Sequence, residues 1–207
     1  MTPKSKHYLT NAAIAICWLG VTLTSNPVGR QDNIWRFLIS VAILARNGSL
    51  TALFLLRRPP EKVSKEIKEW IIAIIGSFIG TFYLWSNRPL VPEAFLVPIY
   101  SIMITALLAG IAAIVTLGCS FGVVPANRGI KQNGLYRFVR HPIYSFYIIF
   151  DLGLICISFS PRNVVVLLGF VIACYLRASY EEKLLHLDPA YRDYAGKTRY
   201  MFLPGIF

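Results

Sequence analysis

Residues 94–118 read "AFLVPIYSIMITALLAGIAAIVTLG", a stretch of 25 residues without a charged side chain. A helix needs about 20 consecutive apolar residues to cross the hydrocarbon core of a bilayer. This stretch therefore predicts a transmembrane helix, and it is the clearest of several such segments in the chain.

Five further apolar segments accompany it. They cover residues 9–23, 34–56, 70–86, 143–160 and 164–176, and the last continues as the charged helical pattern "RASYEEKLLHL". With 56% hydrophobic residues among 207, the chain is too apolar for an ordinary soluble domain. The sequence predicts an all-α fold: a single polytopic integral membrane helical bundle over residues 1–207, with about five to six transmembrane helices. The first segment has no small-residue cleavage pattern, so we expect it to remain as the first span.

The positive charge is distributed unevenly between the apolar segments. The net charge is +11, and sixteen of the 21 lysines and arginines lie in termini and connections that share one side of a six-span topology. Four lie on the opposite side, which by the positive-inside rule predicts a multi-pass protein with cytoplasmic N- and C-termini. The same distribution makes membrane lipids expected partners and nucleic acid an unexpected one. The four cysteines lie in or beside apolar segments without metal-ligand spacing, so no metal site is predicted.

A basic turn precedes the fifth apolar segment, in "NGLYRFVRHPIYSFY" at residues 133–147. Gly134 permits a tight turn, and Pro142 suits the first turn of a helix, which places His141 near the N-cap. A helix start carries unpaired N–H groups and a partial positive charge, and Arg140 and His141 add to it. This pattern predicts a site for a carboxylate or phosphate. The alternative is that these basic residues meet lipid headgroups.

Complementary acids follow the sixth apolar segment. Glu181 shares a helix face with Arg177, and Glu182 points roughly 100° away. These acids could bind an ammonium or ribose hydroxyls, or Glu181 could form an ordinary ion pair on a solvated helix end. A ligand with both carboxylate and ammonium groups would use both patches. The aromatic tail at 187–207 is expected to fold back as a lid, to anchor at the membrane interface, or to do both.

These motifs resemble those of the isoprenylcysteine carboxyl methyltransferase family and its phospholipid methyltransferase relatives. "GLYRFVRHPIY" is similar to that family's Gly-x-Tyr-Arg-x-x-Arg-His-Pro-x-Tyr signature, and "RASYEEKLLHLDPAYRDY" to its Glu-Glu and Tyr-x-x-Tyr segment. Asp188-Pro189 and "GKTRYMFLP" depart from the commoner forms. The resemblance covers residues 118–207, after N-terminal transmembrane helices at 1–117.

The resemblance implies a membrane methyltransferase core at 118–207 with a cytoplasmic-side pocket for S-adenosylmethionine. A lipophilic small-molecule or prenylated acceptor would enter from the bilayer. The predicted donor-binding residues are Tyr136, Arg140, His141, Pro142, Tyr144, Arg177, Glu181, Glu182, Leu203 and Pro204.

Two ionisable residues interrupt the apolar segments. Arg46 lies near the middle of the second and Asp151 within the fifth. Such residues usually face a bundle interior, so the two could pair, or Arg46 could orient an acceptor carboxylate. Arg46 and Arg140 are thus the predicted catalytic residues. No His–acid pair is evident near the motif.

The favoured function is carboxyl O-methylation of an isoprenylcysteine-like acceptor. The alternatives are phospholipid N-methylation, an NADPH-dependent sterol-type reductase, and a non-enzymatic transporter or scaffold.

Overall fold

The computed structural model describes residues 3–25, 33–60, 62–64, 66–83 and 88–205. Its helices are α1 (Pro3–Ser25), α2 (Ile34–Leu56), α3 (Ile67–Phe78), α4 (Leu96–Leu117), α5 (Pro142–Ile157), α6 (Pro161–Leu185) and α7 (Pro189–Lys197). Two short strands, β1 (Lys62–Val63) and β2 (Ala126–Asn127), pair antiparallel. The predicted helical class is confirmed, whereas the strand pair was not predicted.

Most of the apolar segments become helices where the sequence places them. The segment 34–56 coincides with α2, and α4 and α5 begin and end within three residues of the predicted bounds. The third segment differs, because α3 ends at Phe78 and a 3₁₀ turn follows over Ile79–Phe82. Gly76 and Gly80 lower the helix propensity there. Residues 84–86 of the predicted segment, and the "NPVG" that closes the first, lie outside the described residues.

Three of the described helices are long and apolar enough to cross a membrane: Ile34–Leu56, Glu93–Ser120 and Pro161–Leu185. The apolar parts Tyr8–Gly20 and Pro142–Ile157 are shorter. Large apolar side chains on the outer helix faces are exposed, among them Val115, Val165 and Ile172. Such a surface suits lipid contact and identifies an integral membrane protein. The number of crossings and the orientation of the termini stay predictions.

The bundle core lies where α4 packs between α2 and α5. Ile39, Met103, Leu107 and Phe150 are buried there in one cluster. Gly153 allows this packing, because a Cβ atom at that position would collide with the side chain of Met103. On the other side α3 packs against α6, and Trp18 of α1 contacts Phe78 of α3, with ring centroids 5.6 Å apart. The helices thus surround an interior space.

Two basic connections meet at one end of the bundle. Strands β1 and β2 join the α2–α3 connection to the α4–α5 connection, and the Arg58 amide donates to the Cys119 carbonyl over 2.9 Å. Helix α7 joins the same end, because the Asn127 side-chain amide donates to Asp188 over 3.0 Å. The sequence predicts both connections on one side of the membrane, and the motif turn lies at this end.

Candidate functional site

A cavity of about 270 Å³ extends from the basic connections into the bundle between α2, α3, α5 and α6. Its mouth is lined by polar and aromatic side chains, namely Arg128, Lys131, Tyr136, Arg140, His141, Glu181, Tyr191 and Tyr194. Its deeper part reaches other polar side chains, namely Arg46, Asn47, Ser77, Tyr83, Tyr147 and Asp151. The same space therefore contacts both the motif turn and the bundle interior.

Arg140 and Glu182 form a buried ion pair at the edge of this cavity. Nε and Nη2 of Arg140 donate to the two carboxylate oxygens of Glu182 over 2.6 and 3.2 Å. Nη1 donates to the carbonyls of Thr198 and Arg199 over 2.8 and 2.6 Å. A guanidinium has five N–H donors, so these bonds leave a single N–H for a ligand. The geometry supports a positioning role for Arg140, and its catalytic role stays a prediction.

The structure also contains a His–acid pair that the sequence did not indicate. Nε2 of His141 lies 3.2 Å from Oε1 of Glu182. Forty-one residues separate the two, and α5 and α6 must pack together before they meet. Glu182 therefore does not form an acidic patch separate from Arg140 and His141, as the sequence had suggested. Instead, its carboxylate contacts both side chains.

The C-terminal segment folds back along the motif turn. The amides of Arg140 and His141 donate to the carbonyls of Tyr200 and Met201, each over 2.9 Å, and Ser145 Oγ donates to the Phe202 carbonyl over 2.6 Å. His141 takes the N-cap position of α5 and Pro142 the first helical position, as predicted. However, the chain's own tail already uses the amides of Arg140 and His141, so they cannot serve the predicted anion site. A lid role for this segment stays a prediction.

Helix α7 holds aromatic side chains at the cavity mouth. Asp188 caps it by accepting from the Ala190 amide over 3.0 Å, and Pro189 occupies its first turn, which gives the Asp-Pro departure a structural role. Burial raises the pKa of Tyr194 to about 12. Its hydroxyl therefore stays protonated, and it donates to the Tyr136 carbonyl over 2.6 Å.

Arg177 spans the gap between α6 and α3. Its Nη1 donates to Ser77 Oγ over 3.3 Å and its Nη2 to the Val123 carbonyl over 3.1 Å. The guanidinium also lies 5.4 Å from the ring centroid of Tyr144. Its Nε is buried and has no hydrogen-bond partner among the described residues. A buried donor without a partner is costly, and this N–H is available to an acceptor atom.

We predict that Gly76→Val weakens donor binding. A Cβ atom on Gly76 would lie 3.2 Å from Cδ of Arg177 and 3.1 Å from Cβ of Ala173, so valine must displace the arginine. Overpacking costs of 1–3 kcal/mol correspond to roughly a tenfold loss of affinity or more. Titration with S-adenosylhomocysteine measures the loss of affinity. Gly48→Val is the matched control, because a Cβ atom there meets nothing within 4 Å. Equal affinity of the two variants for S-adenosylhomocysteine would show that Arg177 does not contribute to donor binding.

Arg128 adds positive charge at the cavity mouth. Burial, and then the charge of Arg57, lower the pKa of its guanidinium to about 10, whereas Glu181 acts in the opposite direction. Its Nε donates to the Arg58 carbonyl over 3.1 Å, while its Nη1 is buried without a partner among the described residues. Arg128 was not among the predicted site residues. Its only sequence signal is its place in a basic connection just before the motif.

The deep end of the cavity contains the two ionisable residues of the apolar segments. The Arg46 guanidinium lies 4.9 Å from the ring centroid of Tyr147, and its Nε donates to Asn47 Oδ1 over 3.1 Å. Asp151 follows Tyr147 by one turn of α5 and is 8% exposed. Arg46 and Asp151, both within the described residues, form no ion pair within 4.0 Å, although their charges interact.

The cavity brings most of the predicted site residues together. Its wall includes Arg46, Tyr136, Arg140, His141, Tyr144, Arg177 and Glu181. It does not include Pro142, Glu182, Leu203 or Pro204. Glu182 is turned toward Arg140. The tail contacts the motif through Phe202, whose ring centroid lies 6.0 Å from that of His141. The donor-binding roles stay predictions.

A comparison with known protein families gives one match. The sequence model of the isoprenylcysteine carboxyl methyltransferase (ICMT) family matches residues 96–187. The match includes α4, which precedes the expected boundary at 118, and it ends before α7. No curated protein matches the chain significantly. The resemblance seen in the motifs is confirmed, because residues 96–187, somewhat less than half of the chain, match the model of the isoprenylcysteine carboxyl methyltransferase family.

Proposed function

We propose that this protein is an S-adenosylmethionine-dependent integral membrane methyltransferase that methylates the carboxylate of a lipophilic, isoprenylcysteine-like acceptor. The observation that carries the proposal is the continuous cavity, which joins a polar mouth at the family motif to Arg46 inside the bundle. A water-soluble donor and a membrane-borne acceptor could meet there.

The residues at the mouth fit the donor. The unpartnered Nε of Arg177 and Nη1 of Arg128 offer N–H groups to its carboxylate. Glu181 lines the same space and could accept from the ammonium or the ribose hydroxyls. Tyr136, Tyr144 and Tyr191 supply aromatic walls, which are typical of sites for planar rings.

Methyl transfer requires little from the protein beyond alignment of the acceptor oxygen with the methyl group and the sulfur of the donor. When bound, the donor supplies a sulfonium methyl group, which a carboxylate oxygen takes as the carbon–sulfur bond breaks, to leave a methyl ester and a neutral thioether. A carboxylate is already anionic at neutral pH, so no base is needed. Arg46 would hold that carboxylate at the deep end, and His141 stays engaged by Glu182.

Phospholipid N-methylation is the second candidate. An amine acceptor must lose a proton, and Asp151 lines the deep cavity where it could accept one. The charge of Arg46 favours the anionic acceptor, so O-methylation is the preferred proposal.

Two measurements on the protein in nanodiscs test the proposal. S-adenosylhomocysteine should bind saturably and NADPH should not compete, whereas competition by NADPH would favour a reductase. With radiolabelled donor and S-farnesylcysteine, we expect a product that releases its label in alkali, as a methyl ester does. Alkali-stable labelling of added phosphatidylethanolamine would support the N-methyltransferase instead.

A further inference from the structure

The deep end of the cavity contains an acid that the proposed reaction does not use. Asp151 is buried in the apolar helix α5 and lines the same space as Arg46. A carboxylate at such depth requires a cation or hydrogen-bond donors, because burial of an unpaired charge is costly. In the part of the chain that the structure describes, no cationic side chain lies within 4.0 Å of it.

Tyr83 and Arg46 are the neighbours that interact with Asp151 in this cavity. Tyr83, just after the 3₁₀ turn, lies near enough for its hydroxyl to interact with the Asp151 carboxyl group. The hydroxyl is buried, and its geometry toward the carboxyl group falls short of a hydrogen bond. Arg46 is held on the other side by Asn47 and the ring of Tyr147. The cavity therefore places the Asp151 carboxyl group and the Arg46 guanidinium near one another without an ion pair within 4.0 Å.

We propose that Asp151 binds an ammonium group on the same acceptor whose carboxylate contacts Arg46, so that the acceptor is a free S-alkylated amino acid. In a free amino acid one carbon bears both the ammonium and the carboxylate, which matches two opposite charges in one cavity. At the C-terminus of a protein the same nitrogen is an uncharged amide. This inference rests on the proposed function and specifies the acceptor class.

Three acceptors that differ only at this nitrogen test the inference. They are S-farnesylcysteine, its N-acetyl derivative, and 3-(farnesylthio)propionate, which lacks the nitrogen. A hydrogen-bonded charge contributes roughly a ten- to hundredfold preference. We expect wild-type kcat/KM for S-farnesylcysteine to exceed that for both analogues by this factor. The propionate separates loss of charge from the bulk of the acetyl group.

The variant Asp151→Asn should remove the preference. Its kcat/KM for S-farnesylcysteine should fall about ten- to hundredfold. Values for the two analogues should stay within about twofold, since neither bears the ammonium. Glu93→Gln makes the same chemical change on an exposed residue outside the cavity and should alter none of them. Titration with S-adenosylhomocysteine shows that each variant is folded.

The outcomes separate this inference from the proposed function. Equal wild-type turnover of all three acceptors would keep carboxyl methylation and overturn the inference. An equal fall for all three in Asp151→Asn would make Asp151 a structural residue and would also overturn it. No turnover of any acceptor, with donor binding intact, would overturn the proposed acceptor class and the inference together.

Discussion

Arg140→Ala is expected to reduce the affinity for S-adenosylhomocysteine by at least about a hundredfold. The substitution leaves Glu182, 8% exposed, without its bidentate partner, and removal of one member of a buried pair costs about 3–5 kcal/mol. It also removes both side-chain hydrogen bonds from Arg140 to the carbonyls of Thr198 and Arg199. The C-terminal segment should then detach from the motif turn. Calorimetric titration in nanodiscs measures the loss.

Arg137→Ala is the matched control. Arg137 belongs to the same motif, but it is exposed and lies over the ring of Phe138, with 4.6 Å from the guanidinium carbon to the ring centroid. We expect the affinity of Arg137→Ala for S-adenosylhomocysteine to stay within about twofold of wild type, because most surface substitutions have small effects. The double variant Arg140→Ala/Glu182→Ala distinguishes the effect of an unpaired Glu182 carboxylate from the loss of the contacts that Arg140 makes with the tail. If the unpaired carboxylate lowers the stability of Arg140→Ala, the double variant should recover thermal stability without recovering donor affinity. Equal affinities of Arg140→Ala and Arg137→Ala would contradict the positioning role.

Arg46→Ala should lower the turnover of S-farnesylcysteine about ten- to hundredfold while donor affinity changes little. Arg46 lies at the deep end of the cavity beside Tyr147, away from the donor-binding mouth. Loss of a charge-assisted hydrogen bond to the acceptor carboxylate is the physical cause. Initial rates with labelled donor, together with the S-adenosylhomocysteine titration, measure the two effects separately.

A conservative and a remote substitution sharpen this test. Arg46→Lys should retain part of the turnover, because it keeps the charge but loses the planar fork. Arg162→Ala removes the same group from an exposed position outside the cavity and should have no effect. If Arg46→Ala instead abolishes donor binding and leaves turnover at saturating donor unchanged, Arg46 is not an acceptor contact.

Much of the architecture could be predicted because it depends on local patterns. The uninterrupted apolar segments at 34–56 and 94–118 indicate helices, and the structure has α2 and α4 there. The start of α5 was also predictable, since the fixed φ of Pro142 suits a first helical turn. By contrast, α3 was predicted too long, because hydropathy alone does not register the weak helix propensity of Gly76 and Gly80.

The sequence predicted several of the residues that line the cavity, but it did not predict how they pair. The motif residues Arg140 and His141 and the acid Glu181 do line one cavity with Arg46. The partner of Arg140 was not predictable, because Glu182 lies 42 residues later and the carbonyls of Thr198 and Arg199 lie 58 and 59 residues later. Ser77 has no local sequence signal, and Arg128 has only its place in a basic connection. They line the cavity because the connections fold over its mouth and α3 packs on α6.

By itself the sequence determined that the main apolar segments are helical, where α5 begins, and that the basic and acidic residues of the motifs concentrate in the last third of the chain. These properties depend on hydropathy, backbone constraints and charge within a few residues. Only the tertiary structure decided that Glu182 pairs with Arg140 and contacts His141, and that the tail accepts hydrogen bonds from two amides just before α5. It also decided that Arg46 and Asp151 share a cavity without an ion pair. Those outcomes depend on how helices distant in sequence pack, and a buried charge takes the partner that packing brings within reach.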